Sequence, residues 1–248
     1  MAIGVSFTNA AQRAVISNLQ YGVAFIGNAA FTGERKPFSY FSDALAPIPG
    51  SGDPYYVYRI NSVHPPMAFI QLLSPQRFAI CSILKVGANA WEIVVSGSVW
   101  TVTPTVKCFS RLVGQGVPGL VGLRIRDNAG NRTWDSTEKM LVIRRKLDWA
   151  SFRDTSKGGA VQTQALTGIA SPYLMSSAAP GRSGENGARV SNDAQFSIAA
   201  YSPGWTYSNG EISRLSRATT SFLYRDDNNP GWNSFPEERC YIINGDDY

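Results

Sequence analysis

The chain has one histidine, His64, and that scarcity removes most hydrolytic chemistry at the outset. A Ser-His-Asp or Cys-His arrangement would have to use it, yet it precedes Pro65 and Pro66 in a turn or extended setting, and no GxSxG nucleophile motif accompanies it. His64 is expected to be a surface or turn residue. Cysteine is nearly as sparse: Cys81, Cys108 and Cys240 stand in apolar stretches without CxxC spacing, the pattern of reduced, buried thiols and not of metal ligands. Such thiols suit folding in a reducing cytosol. No phosphate-cradling or dinucleotide-binding glycine motif occurs, so no cofactor is expected. No apolar run approaches the ~18 residues of a membrane-crossing helix, and Met1-Ala2-Ile3-Gly4 enters a strand pattern without the regions of a secretion signal. Apolar spacing of three and four, the mark of an amphipathic helix, is never sustained for a dozen residues.

What remains is a low-charge, turn-rich chain. Charged residues make up 17% and apolar residues 44%, with Gly 23 and Pro 14, which suits many short strands and predicts an all-β fold. The 248 residues are enough for two units, each able to bury a core. The formal net charge of +5 is spread along the chain, and its only cluster, Arg144-Arg145-Lys146, ends a strand where solvated charge is ordinary. Nucleic-acid binding is therefore not expected, although a mild attraction to acidic surfaces is compatible with the charge.

The chain is organised around Gly119 to Arg145. Leu123 to Arg126 alternates apolar and charged residues as a half-buried strand does. Asp127-Asn128-Ala129-Gly130-Asn131 breaks the pattern with residues that favour a turn. Thr133 to Asp135 follows as a second strand, and Lys139 to Arg144, with Leu141 and Ile143 on one face, as a third. The start of the chain lies over this unit without a gap. Placing Gly4 on Gly122 sets Phe7 on Ile125, Asn9 on Asp127, Ile16 on Trp134, Val23 on Leu141 and Phe25 on Ile143. Such an overlay predicts two tandem β-sandwich-like modules, residues 1–116 and 117–248, divided within the glycine-rich stretch Val113 to Gly119.

In the first module, strands are expected at Gly4 to Thr8, Ala14 to Ile16, Tyr21 to Ile26, Tyr55 to Ile60, Met67 to Leu72, Phe78 to Val86, Trp91 to Ser96 and Val106 to Leu112. Residues 27–54 read mostly as loop because prolines and glycines interrupt them. In the second, Asp148 to Phe152, Gln195 to Tyr201, Ser221 to Tyr224 and Cys240 to Asn244 read as strands, and 171–192, 202–210 and 225–238 as loops. The acid pairs Asp226-Asp227, Glu237-Glu238 and Asp246-Asp247 do not converge as glycosidase carboxylates must, since neighbours on a strand face opposite ways. Oxygen-rich Asp226 to Asn229 matches no known calcium-loop formula. The candidate contact residues are the aromatics of the expected loops: Tyr173, Trp205, Tyr207, Trp232 and Phe235. Tyr and Trp beside Gly, Asn and Ser supply recognition area at low entropic cost, and the competing expectation is that these rings fold back over the core.

The opening Met1 to Asn9 and the turn unit Gly122 to Gly130, followed by Trp134-Asp135-Ser136, resemble the β-rich tail proteins of tailed bacteriophages. Ala10 to Arg13 departs from the Asn-Ala-Gly-Asn turn of the second copy. The resemblance implies a non-enzymatic virion structural protein of the tail tip, baseplate or fibre that takes part in host attachment. It would be made in the bacterial cytoplasm and carried in the virion. Its implied partners are other tail proteins, further copies of itself, commonly as a trimer, and a host surface receptor, with no nucleic acid and no membrane insertion. The alternatives are a tail component that degrades envelope polysaccharide and a stand-alone carbohydrate- or protein-binding module.

Overall fold

The computed structural model describes residues 6–8, 14–17, 22–35, 46–47, 55–74, 77–97, 102–112, 122–127, 129–150, 152–153, 161–176, 183–189, 195–225, 234–235 and 237–248. Among these every regular element is a strand, apart from one closing 3-10 turn, Gly245–Asp247, so the fold is all-β. The first half carries β1 (Ser6–Thr8), β2 (Ala14–Ser17), β3 (Val23–Asn28), β4 (Ala30–Arg35), β5 (Ala46–Pro47), β6 (Tyr55–Asn61), β7 (Met67–Gln71), β8 (Arg77–Lys85), β9 (Ala90–Gly97) and β10 (Val106–Arg111). The second carries β11 (Arg124–Arg126), β12 (Arg132–Asp135), β13 (Arg145–Trp149), β14 (Phe152–Arg153), β15 (Gln162–Ala165) and β16 (Pro172–Ser176). It ends with β17 (Ser183–Arg189), β18 (Gln195–Ser208), β19 (Glu211–Arg225), β20 (Ser234–Phe235) and β21 (Glu238–Asn244).

Two sheets dominate. One is six-stranded in the order β13-β21-β16-β7-β10-β3, and the other runs β15-β19-β18-β8-β9-β6-β4 with β17 and β5 attached. Ala68 and Ile70 of β7 with Val106 and Cys108 of β10 join Tyr56, Tyr58, Phe78, Ile93 and Val95 of the larger sheet in one buried cluster. The alternate residues Phe69 and Phe109 fill a second cluster with Tyr173 and Ile243. Strands buried on both faces explain why these segments are nearly continuous apolar runs.

The six-stranded sheet also closes on itself. Phe25 N–H donates to Lys139 O at 2.8 Å and Leu141 N–H to Val23 O at 2.8 Å, so residues 139–141 cover the edge of β3. The same segment then reaches β21, where Arg144 N–H donates to Ile242 O at 2.8 Å and β13 pairs in register. Leu141 packs with the second cluster, and Tyr248 plugs it, with its ring 4.7 Å from that of Phe109. The third strand expected over Lys139 to Arg144 is thus one short bridge, Ala24 to Met140, followed by a crossing, and Ile143 is exposed. A segment that must leave one edge and join another within a few residues cannot keep one alternating face.

The two halves repeat one topology. In the six-stranded sheet β3, β10 and β7 answer to β13, β21 and β16, and in the other β6, β9 and β8 answer to β15, β19 and β18. Each half begins with a two-stranded hairpin, and the registers agree under the sequence overlay. Phe7 faces Ile16 and Thr8 faces Ala14, as Ile125 faces Trp134 and Arg126 faces Arg132, each with an irregularity at the same step. Past the hairpins the correspondence is of topology and not of register, since β3 starts at Val23 and β13 at Arg145. The division at 116/117 does not separate two cores. Tyr173 and Leu174 pair with Gln71 and Ile70, Trp205 and Thr206 pair with Phe78 and Arg77, and both sheets run through.

Several expected loops are strands. Residues 30–35 form β4 within the supposed loop 27–54, and 172–176 form the central strand β16. Residues 202–208 extend β18 to a two-residue turn, Asn209-Gly210, with φ of 51° and 78°. Positive φ at both positions is what a tight hairpin requires. Arg214 of β19 and Glu238 of β21 tie the two sheets at 3.0 Å with both side chains fully covered. Arg214 Nη1 also donates to Ala150 O at 2.9 Å, and Ser176 Oγ donates to Glu238 Oε1.

Candidate functional site

The structure turns the expected contact aromatics inward wherever it describes their side chains. Tyr173 is 4% exposed in the cluster inside the closed sheet, with its hydroxyl hydrogen-bonded to Thr105 Oγ1 at 2.8 Å. Trp205 is 2% exposed at the seam between the halves, 6.1 Å from the Phe78 ring. Tyr207 packs against the cluster between the sheets. Trp232 lies outside the described residues, and Phe235 is described only in its backbone, which pairs with Phe152. Tyr173, Trp205 and Tyr207 therefore act as core groups and form no joint surface. Strand alternation gives the reason: once 172–176 and 202–208 are strands in buried sheets, half of their side chains must face a core.

The other residues with potential chemistry do not gather into a site among the described residues. His64 sits in a bend, half-buried, and its carbonyl accepts from Ser62 Oγ at 2.7 Å. Cys108 and Cys240 are buried free thiols, and burial pushes the Cys108 thiol up to about 12. The side chain of Cys81 and all of Asp226 to Asn229 lie outside the described residues. Among the described residues no three potential ligands gather as a metal would need.

The hairpin β11–β12 is locked by charge. Asp127 Oδ1 accepts the amides of Ala129 at 2.9 Å and Asn131 at 2.8 Å, and Gly130 takes φ 81°, so the turn forms where the sequence predicts it. Asp135 is fully buried, 2.8 Å from Arg124 Nε and 3.0 Å from Arg132 Nη1, while Arg132 also meets Glu138 at 2.6 Å. Burial alone would raise the Asp135 carboxyl. The donors Thr137, Arg132 and Arg124 outweigh that and hold it well below the usual carboxylate range. Both oxygens of the Asp135 carboxylate are thus engaged within the hairpin, and the network holds its shape.

Among the described residues, a cleft of about 510 Å³ bounded by Arg144, Arg145, Thr167, Gly168, Ile169 and Asn244 is open to solvent and lined by polar groups. Three segments build it: the entry to β13, the turn after β15 and the end of β21. The turn is closed by Ile169 N–H to Leu166 O at 3.4 Å, with Gly168 at φ 80°, the left-handed third position that favours glycine. Asp247 holds Arg144 in a fork, Nε to Oδ2 and Nη2 to Oδ1, both at 2.9 Å. Asn244 Oδ1 accepts the Ser171 amide at 3.0 Å, which fixes its side-chain amide. Sequence reasoning passed over this cleft. Arg144 and Arg145 read as solvated strand-end charge and the polar stretch 153–170 shows only weak patterning, and the available signal was Thr167-Gly168 set as a turn between the apolar Leu166 and Ile169.

Comparisons with protein-family models, with curated proteins and with solved structures gave no match.

Proposed function

We propose that the chain is a structural protein of a phage virion, a component of the tail tip, baseplate or fibre, in which the duplicated β-unit is the assembly element. The observation that carries this reading is the repeated hairpin. The stretch Gly122 to Ser136, whose pattern resembles phage tail proteins, recurs at the start of the chain with the same cross-strand register. A closed all-β frame with buried thiols and no gathered ligands among the described residues suits a role of holding neighbours. Host attachment, if it runs through this chain, uses surfaces other than Tyr173, Trp205 and Tyr207, which are turned inward.

The test is composition followed by mass. Virions from a host that expresses the chain are purified and analysed for it by mass spectrometry, and the isolated protein is weighed by light scattering after size exclusion. Stoichiometric presence in particles, with a stable trimer or larger ring in solution, supports the reading. Absence from intact particles overturns it and moves weight to a stand-alone binding module.

A further inference from the structure

We propose that the cleft between the Leu166–Ile169 turn and the entry to β13 binds an oxyanion, a phosphate or carboxylate group carried on a ligand of about monosaccharide size, with Arg145 as its principal charge. Its lining is a set of donors. Arg144 and Arg145 carry guanidinium groups, Thr167 a hydroxyl, and Asn244 a side-chain amide whose oxygen is already occupied by the Ser171 amide. That leaves the Asn244 Nδ2 hydrogens as its free function.

The charges around the cleft single out Arg145. Asp247 spends both carboxylate oxygens on Arg144, so it cancels one guanidinium and fixes its plane without offering charge to the cleft. Arg145 is exposed and forms no ion pair among the described residues. Lys146, the next residue, is engaged by Asp148 at 2.9 Å on the opposite side of the strand. One uncompensated guanidinium thus stands over a concave site beside a hydroxyl and an amide. A guanidinium fork matches the geometry of a carboxylate or phosphate. The turn's central amides, at Thr167 and Gly168, are not consumed by the turn's own hydrogen bond, which runs from Ile169 to Leu166. A volume of about 510 Å³ exceeds that of a bare ion and falls in the range of small-ligand sites. Oxyanion binding here does not depend on the tail role.

The experiment titrates the isotope-labelled full chain with sodium phosphate and, separately, sodium glucuronate at constant ionic strength, following the backbone amides of Thr167, Gly168 and Asn244. Saturable shifts at these amides with either probe support the site. Phosphate alone identifies a tetrahedral preference, and glucuronate alone a carboxylate borne on a sugar. Arg145→Gln is expected to weaken binding about tenfold, the loss of one charge-assisted contact. Lys146→Gln, which removes the same formal charge on the other side of the strand, is expected to change it less than about twofold. Should Arg145→Gln fail to fold, Thr167→Val serves instead, with an expected weakening of about threefold from one lost neutral hydrogen bond. Absence of saturation with both probes, or equal weakening by the 145 and 146 variants, overturns the proposal.

Discussion

Asp135 shows how much one residue can hold. Its carboxylate is fully buried and accepts from Arg124, Arg132 and Thr137, so Asp135→Asn leaves two arginines short of their counter-charge. The expected cost is about 3 kcal/mol, read from the urea midpoint at neutral pH. The pH dependence follows from a folded-state pKa held below the unfolded value of about 3.9. The contribution is present above that value and is lost as pH falls through the folded pKa. Wild-type stability should therefore drop on acidification below about pH 4, and the Asn variant should drop less steeply there. The thiols carry a separate expectation. Cys108 and Cys240 are fully covered, and burial raises both pKa values, so neither should react with an aromatic disulfide reagent until the protein unfolds. Rapid labelling of either in the native state would contradict their placement.

The hairpins and the seams they make govern the elements. Gly22 lies where the β11–β12 unit meets β3, and its amide donates to Thr133 O at 2.5 Å. A methyl added there meets Thr133 O at 2.8 Å and the Met140 side chain closer still. A carbonyl cannot rotate away as a side chain can, so Gly22→Ala should cost about 2 kcal/mol, seen as a lower Tm with the all-β circular dichroism retained. The Arg214–Glu238 pair links elements of the two sheets. It joins β19 to β21 across the layers with neither group exposed. Arg214→Met and Glu238→Gln should each cost about 3 kcal/mol because each strands a buried charge or its donors, and the double variant should cost less than their sum. Additive losses in the double-mutant cycle would show that the contact does not couple the sheets.

For the whole molecule, the continuity of both sheets across the two halves decides how it unfolds. The halves pair along two residue pairs in each sheet and again where residues 139–141 meet β3, and the cluster between the sheets takes Ile70, Phe78 and Val106 from one half and Leu174, Trp205 and Ile242 from the other. Separating the halves would expose that shared core. Calorimetry should give one transition, with the van't Hoff and calorimetric enthalpies equal. Two resolved transitions would mean that the halves fold as independent units despite their common sheets.

The sequence by itself determined the class of fold, most of the strands, the Asp127 to Asn131 turn and the equivalence of the two hairpins, because these follow from local alternation and from side chains that bond their own backbone. It did not determine which aromatic faces water. Tyr173 and Trp205 sit beside proline, glycine and serine, a composition typical of loops, but their neighbours in space are strands from the other half of the chain. Burial there is set by pairing partners about a hundred residues away, which no local pattern encodes. The cleft at Arg145 has the same origin: its walls come from the entry to β13, the turn after β15 and the end of β21, and only the closure of the six-stranded sheet brings them together.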